Sequence, residues 1–151
     1  MKYNSPQESN AVRYFNKYIC LRDLQKDDNG EIFGICISSG KKWIAVLNSN
    51  NQVMNGREWC ASHYHNADKF ASVRFDERNV NGQFQSLNKY ASGDKSNYEP
   101  RLRQKIGDDE FEKLNIDRHP IKKYFLFDYQ KIADKYRLKC KEERKRLGIK
   151  I

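Results

Sequence analysis

The sequence predicts an α+β fold in which a centre of short antiparallel strands is flanked by N-terminal and C-terminal helices. Two regions, about 8–24 and the last third of the chain, carry apolar residues at helical spacing. Between them, short β-rich runs alternate with turn residues. The 151 residues are enough for one domain with its own core, and no internal repeat or low-complexity linker divides them. We therefore expect a single domain over residues 1–151.

The N-terminal helix is predicted over about residues 8–24, "ESNAVRYFNKYICLRDL". Ser9 and Asn10 are candidate caps at its start. The turn cluster "KDDNG" at 26–30 ends it. Its apolar stripe consists of Ala11, Tyr14, Phe15, Tyr18, Ile19 and Leu21.

The central region is predicted to contain four strands joined by turns. "NSNN" at 48–51 is a turn signal, and "NG" at 55–56 is a strong mark of a β-hairpin. A polar loop separates the last two strands. The four strand segments are "EIFGICI" (31–37), "KWIAVLN" (42–48), "EWCASHY" (58–64) and "SVRFD" (72–76).

Helices are predicted from Asn79 onwards. Apolar residues at helical spacing continue from there until Gly93, which stops the helix. Pro100 suits the first turn of a further helix that Gly107 ends, and Asp108 is a candidate cap for the next one. A basic helical part follows over about 99–148. The apolar positions are Val80, Phe84, Leu87 and Ala91 in the first of these helices, and Tyr129, Ile132, Ala133, Tyr136 and Cys140 in the last.

Net charge predicts a polyanionic partner. The chain has 29 Lys+Arg and 20 Asp+Glu, a net charge of +9, and 16 of those basic residues against nine acidic ones lie in 101–151. A basic C-terminal part on a nearly neutral body favours nucleic acid as the partner. The alternative is that these charges only keep a surface helix solvated. The candidate DNA-contacting cations are Arg74, Arg78, Lys89, Arg101, Arg103, Lys122 and Lys123.

Cysteine usage and hydropathy indicate a cytoplasmic protein. The four cysteines form no Cys-x-x-Cys pair and are expected to be free thiols in a reducing compartment. No apolar run approaches the length needed to cross a bilayer, and the start of the sequence carries no apolar stretch typical of a secretion signal.

The segment "WCASHYHN" at 59–66 contains three residues of types that bind zinc: Cys60, His63 and His65. Side chains alternate along a strand, so Cys60 would point away from both histidines. A closed zinc site from this segment alone is therefore not expected.

The same segment fits a hydrolytic centre better. A strand carrying His63, then a loop, a strand and a helix carrying Asn88, is the order of the ββα-metal (HNH) nuclease motif. A neutral imidazole suits a general base near pH 7, and a divalent cation stabilises charge that develops on phosphate. Asn79 could equally be a helix cap and Asn88 an ordinary surface amide.

Several segments in order resemble the bacteriophage recombination protein NinG (Rap) family. They are "YFNKYICLRD" (14–23), "WCASHY" (59–64) and the long segment at 73–107 that begins "VRFDERNVNG". The resemblance implies an HNH-like core at about 32–98 and an endonuclease acting on branched or flapped DNA in phage recombination, in the host cytoplasm. It further implies that His63 is the general base and that Asn79 braces the loop. The metal residues would be Asn88 and His63, which would hold a catalytic Mg²⁺ or Mn²⁺.

The chain departs from that family at the positions of two zinc-binding Cys-x-x-Cys pairs. The first survives only as Cys36 followed by Ser39, and the second has become Phe84 and Leu87. Since phenyl and isobutyl groups ligate no metal, we expect no structural zinc and infer that apolar packing replaces it.

The second protein ligand of the catalytic metal stays open. Where relatives often have His or Asp, this chain has Cys60. Asp76, Glu77 and His65 are candidates.

Other functional readings also stay open. One is a catalytically decayed DNA-binding module or recombination accessory protein. For the oligomeric state, a homodimer is one option. Tyr64, Tyr90 and Tyr98 are candidates for stacking on unpaired bases.

Overall fold

The computed structural model describes residues 2–151. These residues form five α-helices and two antiparallel sheets, which confirms the predicted α+β class with helices at both ends. The helices are α1 (Pro6–Arg22), α2 (Gln85–Tyr90), α3 (Lys95–Ile106), α4 (Asp108–Asp117) and α5 (Leu126–Leu147). The strands are β1 (Leu24–Lys26), β2 (Ile32–Ile35), β3 (Lys42–Ile44), β4 (Trp59–His63) and β5 (Val80–Phe84).

Helix α1 begins earlier than its apolar stripe suggests. The Ser5 hydroxyl accepts a hydrogen bond from the Glu8 N–H at 3.1 Å, and Pro6 occupies the first turn, where its missing N–H costs nothing. The prediction that Ser9 and Asn10 cap this helix is wrong, because both lie inside it.

Helices α1 and α5 pack against each other and form one wall of the larger core. Gly148 ends α5 in a left-handed conformation with φ of 69°, which glycine adopts without steric cost. In the part of the chain that the structure describes, no helix is long and apolar enough to span a membrane. The buried members of this core include Phe15, Ile19, Leu21, Leu24, Ile32, Trp43, Trp59, Val80, Tyr136 and Leu147.

The first sheet has the order β1–β2–β3, with Gly34 of β2 opposite Leu24 and Trp43. The turn predicted at 48–51 is present, since the Asn51 N–H donates to the Asn48 carbonyl at 3.0 Å. The prediction of a hairpin at 55–56 is wrong. The Asn55 side chain instead accepts from the Val46 N–H, and a 3₁₀ turn over Gly56–Glu58 follows.

The second sheet is the hairpin of β4 and β5, which pairs Trp59 with Phe84 and His63 with Val80. The strand predicted at 72–76 is wrong, because that stretch is a 3₁₀ turn over Ala71–Val73 followed by turns. The helix predicted directly after Asn79 begins only at Gln85. Apolar residues four apart are compatible with either period, and here strand pairing with β4 decided the conformation.

Trp59 joins the two sheets. Its indole lies against Gly82 of β5 and Gly34 of β2, so closely that a Cβ atom on either glycine would overlap the ring. The Ile37 N–H donates to the Gly82 carbonyl at 3.0 Å, which adds a backbone link between the sheets. Glycine is therefore required at both positions by close approach.

A second apolar cluster lies beneath α3 and α4. Tyr98, Leu102, Phe111 and Leu114 are buried there. Pro100 lies inside α3 instead of in its first turn, because that helix begins at Lys95. The residue at the N-cap of α4 is Gly107, so the prediction of Asp108 as the cap is wrong; Asp108 lies in the first turn.

Candidate active site

A cleft of about 760 Å³ opens where β4 ends, between the loop at 64–79 and α2. His63 and Asn88, which are 25 positions apart in the chain, both line it. The pairing of β4 with β5 brings the loop at 64–79 and α2 close to His63. His63 and Asn88 therefore meet in one cleft although they are far apart in the chain. The other lining residues are Ala61, Asn66, Ala67, Asp68, Lys69, Phe70, Ser92, Gly93 and Lys95.

His63 is held in one orientation and one tautomer. Its Nε2 lies 2.9 Å from the Arg74 carbonyl oxygen. A carbonyl can only accept, so Nε2 carries the hydrogen and Nδ1 keeps its lone pair. Nδ1 makes no hydrogen bond to any of the described residues 2–151. Burial lowers the pKa of His63 below its ordinary value of 6.5, although the Arg74 carbonyl and the charge of Asp68 oppose that shift. The imidazole is therefore neutral near pH 7 with a free basic nitrogen.

Asn79 fixes the loop that precedes β5. The Asn79 side chain is fully buried and makes three hydrogen bonds inside that loop. Its Oδ1 accepts from the His65 N–H at 2.8 Å, and its Nδ2 donates to the carbonyls of His65 and Val73 at 3.0 and 3.1 Å. These bonds tie the start of the loop to the segment next to Arg74, whose carbonyl holds His63.

Asn88 projects from α2 beside the end of β4. Its Oδ1 accepts a hydrogen bond from the Ser62 hydroxyl at 3.1 Å, which orients the amide while a second lone pair stays free. Asn88 is half-buried and lines the cleft.

An acidic residue that the sequence analysis did not select lies in the same cleft. Asp68 lines it, and the negative charge of Asp68 acts on the pKa of His63. In the sequence it stands in a polar loop with no motif around it, so only the fold shows its place.

The three residues proposed from the sequence as second metal ligands have other partners. Asp76 pairs with Arg78 at 2.6 Å, and Glu77 binds Lys139 at 2.8 Å. The Nε2 of His65 lies 2.8 Å from the Asn115 side-chain oxygen.

Two lysines give the cleft a positive side. Lys69 and Lys95 both line it, and the pKa of Lys95 is lowered by burial and then by the charge of Lys69. Neither lysine has a carboxylate within 4.0 Å among residues 2–151. The two positive charges repel each other, and a phosphate bound between them would relieve this repulsion.

The cations proposed from the sequence as DNA contacts fall into two groups. Arg74 pairs with Glu8 at 2.9 Å, and Arg78 and Arg103 each pair with three carboxylates. The remaining four are exposed, and Arg101 donates to the carbonyls of Ser38 and Ser39. The exposed set is Lys89, Arg101, Lys122 and Lys123.

The tyrosines proposed for base stacking also differ from one another. Tyr98 is fully buried, and Tyr64 packs against it and against Phe111. Tyr90 is 79% exposed.

Three of the positions that correspond to the family's zinc-binding cysteines belong to the larger core or pack against it. Cys36 is fully buried in the larger core, and Phe84 and Leu87 pack against that core. Burial would raise the pKa of the Cys36 thiol, but hydrogen bonds from Ser39 and from the Phe84 backbone outweigh it and lower the pKa. Apolar packing therefore occupies this region. Within residues 2–151, no group of three or more His, Cys, Asp or Glu side chains is placed to hold a metal ion.

Fold and cleft define an α+β protein with a histidine–asparagine cleft on a strand, loop, strand and helix unit. The chain belongs to the bacteriophage lambda NinG protein family, whose model matches residues 1–146. No curated protein and no solved structure matched the chain.

Proposed function

We propose that this protein is a metal-dependent endonuclease of the HNH type that cuts branched or flapped DNA during phage recombination. The observation that carries the proposal is the single cleft lined by His63, Asn88 and Asp68. Membership of the NinG family supports a role in phage recombination. The two lysines of the cleft support a substrate that carries phosphate groups.

The donor set of the cleft fits Mg²⁺ or Mn²⁺. These hard cations prefer oxygen ligands and often take only one or two from the protein, the rest coming from water and substrate phosphate. Asn88 and Asp68, whose side chains each carry an oxygen donor, line one cavity. We assign Asp68 as the second protein ligand, because Asp76, Glu77 and His65 are bound elsewhere. When bound, the cation would stabilise negative charge on the phosphate and the leaving oxygen.

The protein's own groups would do the rest of the chemistry. His63 Nδ1 would take the proton of the attacking water, while its Nε2–H stays bonded to the Arg74 carbonyl and keeps the tautomer fixed. Asn79 would hold the loop that supplies this carbonyl. Lys69 and Lys95 would bind phosphate oxygens as charges.

Cleavage of defined DNA substrates tests the proposal. Flap, four-way-junction and linear duplex DNA are incubated with the protein and Mg²⁺ or Mn²⁺. We expect cleavage of the branched substrates and a loss of about 10²–10⁴-fold in rate for His63→Ala. Asn50→Ala is the control, because Asn50 is exposed and lies outside both the cleft and the cavity beside it.

Two outcomes would overturn the proposal that this protein is an enzyme. One is the absence of cleavage on every substrate with either metal. The other is an unchanged rate in His63→Ala. DNA binding that persists without cleavage would instead identify a catalytically decayed binding module.

Metal binding tests the ligand assignment without relying on activity. Titration calorimetry with Mn²⁺ should show about 10-fold or greater loss of affinity in Asp68→Asn and in Asn88→Ala. Asp109→Asn, on the exposed first turn of α4, should bind Mn²⁺ as the wild type does. Unchanged binding in Asp68→Asn would remove Asp68 from the site.

A further inference from the structure

The connector between α4 and α5 exposes an unusual set of large apolar side chains. Phe125, Leu126 and Phe127 are each more than half exposed, and Ile121 is fully exposed. Burying such side chains normally stabilises a protein, so a group of them on the surface is typical of a binding site.

Cations accompany these side chains. Lys122, Lys123 and Lys131 lie over the rings of Tyr124, Phe125 and Phe127, at 5.5, 5.5 and 5.1 Å from the ring centroids. None of the three has a carboxylate within 4.0 Å in the described part of the chain, nor has Arg118. The one acidic residue of 118–131 is Asp128, whose carboxylate accepts from the Phe125 N–H at 2.9 Å. The surface is therefore both aromatic and positively charged.

The connector is anchored to the rest of the protein. The Tyr124 hydroxyl donates to the Ala71 carbonyl at 2.8 Å, and the Tyr124 ring packs edge-on against Phe75 with centroids 5.3 Å apart. The Ser72 hydroxyl donates to the Asp117 carbonyl at 2.7 Å. These contacts hold the exposed rings at a fixed place relative to the loop that bears Asp68.

The connector is continuous with the candidate active cleft. A cavity of about 190 Å³ is lined by Arg118, Ile121 and Lys122 of the connector. Lys69 and Phe70 line this cavity and also line the cleft that contains His63. A strand that leaves the cleft past Lys69 would therefore meet the connector next.

We infer that residues 118–127 and Lys131, named here the connector surface, bind the unpaired strand of a branched DNA substrate. Lysines would neutralise phosphates, and the rings of Phe125 and Phe127 would stack on bases. A duplex hides its base faces, so stacking selects an unpaired strand. Protein interfaces are depleted of lysine in their centres, which makes a protein partner a poorer match for four unpaired cations. The inference rests on the proposed function for its substrate, but its site lies outside the catalytic residues.

Binding without metal tests the inference separately from catalysis. The anisotropy of fluorescent oligo(dT) and of a blunt duplex is measured in EDTA, with the full chain. We expect Phe125→Ala/Phe127→Ala to weaken oligo(dT) binding by about 10-fold or more and duplex binding by less than about twofold. Lys122→Ala/Lys123→Ala should weaken binding of both oligo(dT) and the duplex. The number of ions released on binding, measured from the dependence of affinity on salt concentration, should fall by about two.

Matched controls come from α5. Leu138→Ala removes a side chain that is 61% exposed, and Lys141→Ala/Lys145→Ala removes two exposed lysines. Both should leave oligo(dT) binding within about twofold of the wild type. Thermal unfolding of every variant shows that it is folded.

Three results would overturn the inference: unchanged oligo(dT) affinity in the phenylalanine variant, an equal loss for oligo(dT) and duplex, or a wild-type dimer that this variant turns into a monomer. The last would identify the surface as an interface between copies. Failure of the proposed function looks different, since His63→Ala would then cut DNA like the wild type while the oligo(dT) result still stood.

Discussion

Two regions that flank the β4–β5 hairpin treat their polar groups in opposite ways. In the first, which we call the ion network, Asp23 accepts from Arg22, from Lys105 and from the Gly82 N–H, all within 3.0 Å. In the second, the cleft, His63 Nδ1 and Lys69 have no such partner among residues 2–151. The hairpin thus serves stability on one flank, and we expect it to serve binding and chemistry on the other.

The pKa values follow the same division. Burial would raise the pKa of Asp23, but hydrogen bonds and charge from Arg22 and Lys105 outweigh it and hold the pKa below 3.8. In the cleft, burial lowers the pKa of His63 and leaves a neutral base that is not part of an ion pair. Saturated partners therefore indicate structure, and free lone pairs in a cleft indicate function.

The largest expected difference between the two regions is in stability. Asp23→Asn should lower the free energy of unfolding by about 3 kcal/mol, because it leaves the largely buried Arg22 guanidinium without its charge partner. Asp68→Asn, the matched change in the cleft, should cost less than about 1 kcal/mol. Urea unfolding measures both. Equal losses in the two variants would remove the distinction.

Packing beside the ion network should tolerate little change. Gly82→Ala should lower the free energy of unfolding by about 1–3 kcal/mol, since its Cβ would overlap the Trp59 indole, which the Cys20 carbonyl holds at 3.2 Å. Gly56→Ala is the control, as its Cβ would have an ordinary contact of 3.7 Å. A stable Gly82→Ala protein would show that Trp59 can move.

The loop that bears the cleft should depend on Asn79 more than on Asn88. Asn79→Ala removes three buried hydrogen bonds and should cost about 1–3 kcal/mol. Asn88→Ala removes one half-buried bond and should cost about 1 kcal/mol or less, while it lowers Mn²⁺ affinity. Chemical unfolding and Mn²⁺ titration of both variants compare them. A greater loss of stability in Asn88→Ala would contradict the division of roles.

Acidification should separate the two regions by pH. His63 has a folded pKa below 6.5, so the cleavage rate should stay constant through pH 7 and fall only below 6.5. For both groups the folded pKa lies below the unfolded one, so the stability each contributes is present above the unfolded value and is lost as pH falls through the folded value. For Asp23 that loss begins below 3.8. A rate already at half its maximum at pH 6.5 or above would contradict the assignment of His63.

The sequence predicted the terminal helices because long stripes at one period leave little choice of conformation. It missed β5, since Val80 and Phe84 also fit a helix and nothing local shows that Asn81 and Gln83 are buried. The order of His63 and Asn88 was readable, but their shared cleft depends on β4–β5 pairing. Asp68 and the exposed rings of the connector surface carry no motif, so only the folded chain shows their place.

The most direct test measures stability and cleavage on one variant, His63→Ala/Asn88→Ala. We expect a free energy of unfolding within about 2 kcal/mol of the wild type, since one hydrogen bond is lost at each site. We also expect loss of flap cleavage with Mn²⁺. A variant that unfolds much more easily, or one that still cuts flaps at the wild-type rate, would contradict the assignment of the cleft as the active site.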